Sequence, residues 1–246
     1  MLAVPDPKGV IGQMVDTGFL ERCAYVCVDF QPNSAAPLGT VPEEWSRQGI
    51  TLDDANAALD YHRSICLPNA RRVADACRAI RLPMVFVHWG YRCRDGMDLA
   101  PPVRSLFLKQ FGSDYGRWPH YIGSSDSRPA DELGVRDGEY VLAKSAQDAF
   151  ESSNIEFILQ NLDVRSIVFV GGHTGACLGK TASSAKRLGY RTLCVEDATD
   201  DAAQSRRLPN ILATGYDYVL TTDRFVQLAS RAHARPTLHP ELEAPP

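Results

Sequence analysis

Short apolar runs recur at 24–29, 84–88, 140–143, 166–170, 192–196 and 218–222, rich in β-branched and aromatic residues and alternating with stretches of helical spacing. Such alternation predicts a parallel sheet covered by helices on both faces. The helical stretches are Leu52–Ile80, opened by Thr51 and Asp53 with a break expected near Pro68, then Ser152–Asn161, Cys177–Leu188, Asp201–Ala213 and Asp223–Ala232. Gly189 stands where a helix C-terminus favours glycine. Between the second and third strands, residues 90–139 show no clear periodicity and hold Trp118, His120 and Tyr121; so long an insertion suits a lid or an assembly element. The tail 236–246, with four prolines, reads as disordered. No internal repeat is visible.

The most informative stretch joins the strand Ile167–Val170 to a helix through Gly171-Gly172-His173-Thr174-Gly175-Ala176-Cys177. Unpaired amides and the positive end of the macrodipole at a helix start favour a thiolate at Cys177, although a buried cysteine in a compact turn is an equally ordinary reading. In an open parallel sheet, ligands bind beyond the carboxyl ends of the strands. Asp29 ends the first strand in Val28-Asp29-Phe30-Gln31, and Lys144 follows the third in Ala143-Lys144-Ser145. A carboxylate that moves a proton, a cation that favours thiolate and a thiol that attacks form a coherent set. Taken singly, Asp29 is also compatible with a cap or turn, and Lys144 with a solvated loop cation.

Composition narrows the class. At 246 residues and 44% hydrophobic content, the chain suits one large α/β domain. A net charge of -4 lacks the basic excess of nucleic-acid binding. No stretch approaches the roughly 18 apolar residues of a membrane span. Residues 1–16 show no charged region followed by an apolar one, so a cytoplasmic protein is expected. Seven cysteines without CxxC spacing suit reduced thiols, not a disulfide framework or structural zinc.

Val28-Asp29-Phe30-Gln31, Lys144 with Ala149-Phe150, and Gly171-Gly172-His173-Thr174-Gly175-Ala176-Cys177 with Thr181-Ala182 together resemble the isochorismatase-like cysteine hydrolase superfamily over about 24–228. The resemblance implies a three-layer, Rossmann-like α/β sandwich with a six-stranded parallel sheet, one domain over 1–235 with an insertion at 90–139. It implies a catalytic triad of Asp29, Lys144 and Cys177, a cis peptide at Gly172–His173 and an oxyanion hole from the backbone amides of His173 and Cys177. It further implies hydrolysis of a small amide or ureide through a thioester by a homo-oligomer of two or four chains; no cofactor is expected, and the charge and the lack of a long apolar stretch argue against a nucleic-acid or membrane partner.

Departures from the family pattern refine this. Nicotinamidase-like members carry Asp-x-His after the second strand, whereas this chain reads Val87-His88-Trp89-Gly90, so no metal is expected. Asp60-Tyr61-His62 has the spacing but falls within a helix, on what reads as a solvated face. The presence of the Cys argues for amide or ureide chemistry over vinyl-ether cleavage. Gln31, His88, Trp89 and Phe150 are candidate pocket residues; Arg92 and Arg94, with Lys109, are candidate clamps for a substrate carboxylate, although an uncharged ureide is equally compatible. The His173 side chain remains open to packing, substrate contact or loop support. Two rivals stand beside this reading. Gly175–Thr181 falls one residue short of a phosphate-binding P-loop, Thr174 standing where its first glycine belongs, and an inert binding protein on the same fold is the other.

Overall fold

The computed structural model describes residues 14–32, 39–41 and 43–233; the tail 236–246 lies outside the described residues. Six parallel strands form one sheet: β1 Cys23–Val28, β2 Met84–Trp89, β3 Tyr140–Lys144, β4 Ser166–Gly171, β5 Arg191–Thr199 and β6 Tyr218–Leu220, in the order β3-β2-β1-β4-β5-β6. The chain steps outward from β1 to β3, then returns to lay β4 against the free side of β1. That reversal opens a crevice at the carboxyl ends of β1 and β4.

Both faces of the central strands are buried, which is why they read as continuous apolar runs. Tyr25, Cys27, Val168 and Val170 face one core, shared with Ala70, Val73 and Phe225. Ala24, Val26, Ile167 and Phe169 face the other, shared with Leu159, Leu178, Ala182 and Ile211. The first core is roofed by α3 (Leu67–Ala79) and α9 (Thr222–His233), the second by α5 (Ala149–Ser152), α6 (Ile155–Asn161), α7 (Cys177–Arg187) and α8 (Arg207–Thr214). Two further helices, α1 (Glu43–Arg47) and α2 (Leu52–Tyr61), precede α3, and α4 (Pro101–Phe111) lies in the long insertion. Leu159 is fully buried in the second core, so Leu159→Ala is expected to cost about 2–5 kcal/mol, as a fall in the urea midpoint at unchanged m-value.

Three helical expectations need correction. Pro68 does not break the first helix: a π-helical turn over His62–Cys66 joins α2 to α3, and Pro68 sits in the first turn of α3, where its missing N–H and its ring bulk are accommodated. The expected helix at 152–161 is two, parted at Ser153, whose hydroxyl donates to the Ala149 carbonyl and accepts from the Ile155 amide. The one expected from Asp201 begins at Arg207, after a short 3-10 turn, because the Asp201 carboxylate serves Thr174, Gly175 and Asn210 instead. The long insertion also contains α4, started by Pro101-Pro102 at positions where proline costs no hydrogen bond. All seven cysteines are free, and only Cys93 is exposed. Among the described residues no helix is long and apolar enough to cross a membrane.

Candidate active site

Asp29 follows β1 with φ of 59°, a left-handed conformation that Asp tolerates better than most residues, and its amide donates to the Val87 carbonyl at 2.8 Å. Lys144 closes β3 in register with Trp89 of β2. The two side chains meet: Lys144 Nζ lies 2.8 Å from Asp29 Oδ2, with the lysine fully buried and the aspartate side chain 9% exposed. The ammonium also donates to the Ala146 carbonyl at 3.1 Å and sits 3.6 Å from the centre of the Trp89 ring. A buried lysine with these partners is no solvated loop cation. The Asp29 carboxylate also faces the Cys177 thiol, whose ionisation it opposes.

Cys177 is the first residue of α7 and is buried. Burial, reinforced by the Asp29 carboxylate and opposed by the Lys144 ammonium, pushes its thiol up to about 12. Desolvation, the largest of these influences, thus acts against the thiolate bias expected at a helix start. Such a nucleophile needs a base at hand when it reacts.

The Gly172–His173 peptide is cis, where the family resemblance implied it. Within this loop the amides of Gly172, Thr174, Gly175 and Ala176 donate to the Val28 carbonyl, the Asp200 carbonyl, the Asp201 carboxylate and the His173 carbonyl. Those of His173 and Cys177 have no acceptor among the described residues. Two free amides beside a thiol can hold a developing oxyanion. The His173 ring packs against Trp45, centroids 6.3 Å apart.

Around this centre the other expected residues divide. Gln31 is buried and supports Trp89: its Oε1 accepts the Trp89 amide at 2.7 Å, and its Nε2 donates to the carbonyls of Trp89 at 3.3 Å and Asp126 at 2.5 Å. His88 is buried with Nδ1 2.9 Å from the Trp89 carbonyl, and burial pushes it down, so it is neutral at pH 7. Arg92 and Arg94 are exposed, Arg94 stacking on Tyr121 at 4.0 Å, and Lys109 pairs with Glu43 at 3.0 Å. The structure shows no contact of these three with Asp29, Lys144 or Cys177. The Phe150 ring packs 6.0 Å from Tyr190, in the connection entering β5, and against the core cluster that includes Cys177. His62 is a correction: it is not on a solvated face but buried and paired with Asp200.

His120, from the long insertion, was missed. It has φ of 68°, its amide donates to Asp126 at 2.9 Å, its ring meets Gln31 at 3.3 Å, and it lies within the fields of Asp29 and Lys144. Aperiodic sequence carries no signal for such a residue. The P-loop-like stretch does not present its polar groups to a common cradle: Lys180 donates to Gln147, and the buried Thr181 hydroxyl accepts the Ala149 amide. A cleft of about 780 Å³ runs along the outer side of α7, lined by Gln147, Thr174, Gly175, Lys180, Arg187 and Asn210 but by none of Asp29, Lys144 and Cys177.

Residues 23–212 match the Isochorismatase domain family. The chain is 31% identical over 226 residues to ureidoacrylate amidohydrolase RutB of Pseudomonas syringae pv. syringae, covering 79% of this chain and 87% of that protein. It is 26% identical over 149 residues to N-carbamoylsarcosine amidase of an Arthrobacter species, covering 59% of this chain and 52% of that enzyme, so it spans about half that relative's length. A cysteine hydrolase from Pseudomonas syringae pv. phaseolicola superposes with a TM-score of 0.67 at 16% identity, over 92% of this chain and 99% of that one. The N-carbamoylsarcosine amidase of Thermoplasma acidophilum gives 0.57 at 23%, over 82% and 96%. These two structures share the fold.

Proposed function

The chain belongs to the isochorismatase family, and from that membership we propose that it is a cysteine-dependent amidohydrolase, cleaving a C–N bond of a small amide or ureide through a thioester. The observation that carries the reading is the buried Asp29–Lys144 ion pair at the crevice into which the first turn of α7 brings Cys177. Relatives named for ureidoacrylate and N-carbamoylsarcosine favour a substrate with a ureido or N-carbamoyl group.

In this mechanism Asp29 takes the Cys177 proton as the sulfur attacks the carbonyl carbon. Lys144 holds the carboxylate in place through the ion pair. The oxyanion forms against the amides of His173 and Cys177, where one such donor is worth about 3 kcal/mol in the transition state. Collapse breaks the C–N bond, and Asp29 returns its proton to the departing ammonia or amine. Water, deprotonated by the same carboxylate, then attacks the thioester, and the sulfur leaves with the proton that Asp29 took from water. A homo-oligomer, with the 90–139 insertion reaching a neighbour's site, belongs to the same reading; a monomeric sedimentation coefficient would remove that part.

Ammonia release from biuret, triuret, N-carbamoyl amino acids, ureidoacrylate, maleamate and nicotinamide tests the reading. Wild type is expected to turn over at least one ureide, and Cys177→Ser to lose roughly a thousand-fold or more. Turnover retained in Cys177→Ser would overturn the mechanism, and silence across the panel would favour an inert binding protein.

A further inference from the structure

Behind the oxyanion loop lies a buried pair that the mechanism above does not use. His62 Nδ1 and Asp200 Oδ2 are 2.6 Å apart, with the residues 4% and 7% exposed. Asp200 brackets the cis peptide with its backbone: its amide donates to the Gly171 carbonyl at 3.2 Å, and its carbonyl accepts the Thr174 amide at 2.8 Å. Its side chain presses on the same segment. A Cβ on Gly172 would stand 1.7 Å from Asp200 Oδ1, so glycine is required for the approach, and that oxygen is buried without a hydrogen-bond partner. His62 comes from the π-helical turn and packs edge-on against Phe30, 4.9 Å away and next to Asp29 in the chain. The pair thus touches the loop that carries the His173 amide and the residue that follows the proposed base.

We propose that His62 and Asp200 form a positioning pair that sets the Gly172–His173 segment and so aims the His173 amide at the reacting oxygen. The assignment rests on the amidohydrolase reading. Without the imidazole donor the carboxylate keeps two unpaired oxygens in a closed site and turns toward other donors, carrying the segment with it. Displacements of about 1 Å at a reacting group cost on the order of 100-fold in rate. Cys66 shares the cluster, with one ligand atom from each residue within 4.8 Å of the others. A tetrahedral zinc would hold neighbouring ligand atoms about 3.3 Å apart, wider than the observed His62–Asp200 contact, which has the length of a charge-assisted hydrogen bond.

The test compares His62→Ala, His62→Asn and wild type on whichever compound of the amide and ureide panel wild type turns over, together with the rate of iodoacetamide alkylation at Cys177 followed by mass spectrometry. Alkylation needs the nucleophile but no oxyanion hole. His62→Ala is expected to lower kcat roughly 10- to 100-fold with KM within about threefold and alkylation within about twofold of wild type. His62→Asn, whose amide nitrogen replaces Nδ1, is expected to recover most of kcat. Asp200→Ala breaks the pair from the other side and is read in the same way if His62→Ala yields no folded protein. Unchanged kcat, or kcat and alkylation falling together as in a general loss of structure, would overturn the proposal. So would zinc retained by wild type at one per chain and lost in His62→Ala. Turnover that is absent, or independent of Cys177, shows in the wild-type and Cys177→Ser arms and removes the amidohydrolase reading together with the positioning role; Cys177-dependent turnover that survives His62→Ala removes the positioning role alone.

Discussion

Lys144→Met is expected to lower stability by about 3–5 kcal/mol and to abolish turnover, whereas Asp29→Asn/Lys144→Met is expected to regain most of that stability with no activity. The lysine is fully buried, and its ammonium is the cation paired with the Asp29 carboxylate, at 2.8 Å. Removing it leaves an unpaired carboxylate in a closed site, while removing both charges leaves two neutral side chains of similar volume. Methionine preserves the stem of the lysine, which limits the cavity. The single and double variants lose the same contacts to the Trp89 ring and the Ala146 carbonyl, so the difference between them isolates the stranded charge. Urea unfolding of the three proteins measures it. Equal instability in the single and double variants would mean that Lys144 stabilises through packing and not through Asp29, and would weaken the case that the ion pair holds the base in place.

How far the sequence could be read follows from what each residue packs against. The central strands were legible because burial on both faces leaves them continuously apolar, and β3, though Tyr140 and Val141 are exposed, because its run is apolar and β-branched; Asp29, Lys144 and Cys177 were legible as candidates because each ends or follows such a run. Beyond single elements the signal fails. Glu196 reads as a strand end, yet β5 continues to Thr199, since Glu196 pairs with Arg207 at 2.7 Å and Asp197 accepts from the Thr222 amide and hydroxyl. His62 reads as solvated on an ideal helix, but the π-helical turn adds a residue to the repeat and the ring faces Asp200. The Cys177 thiol shows the limit in energetic form. Its place at a helix start is visible in sequence and favours thiolate, but the amount of water removed around it is a tertiary quantity, and that burial pushes the thiol up.

Gly171→Ala is expected to prevent folding, or to cost more than about 4 kcal/mol, because nothing around the new methyl can give way. A Cβ at Gly171 would lie 2.1 Å from the Val28 carbonyl oxygen and 2.6 Å from the Val28 nitrogen, both backbone atoms of the adjacent central strand, and Gly171 has φ of +117°. The backbone conformation alone costs an L residue about 1–3 kcal/mol; the clash adds the separation of β1 from β4 at Val28 and Gly171, which are paired in register. Gly189→Ala separates the two causes. It has φ of +88° and no atom within 4 Å of the added methyl, so it carries conformational strain without contact and is expected to cost about 1 kcal/mol. Similar urea midpoints for the two variants would show that β1 and β4 do not approach this closely. A large difference ties the approach to function, since the same contact places Asp29, one residue past Val28, against the loop that leads from Gly171 to Cys177. A variant that relaxed the contact enough to fold would separate base from nucleophile, and its residual turnover would fall further than its stability.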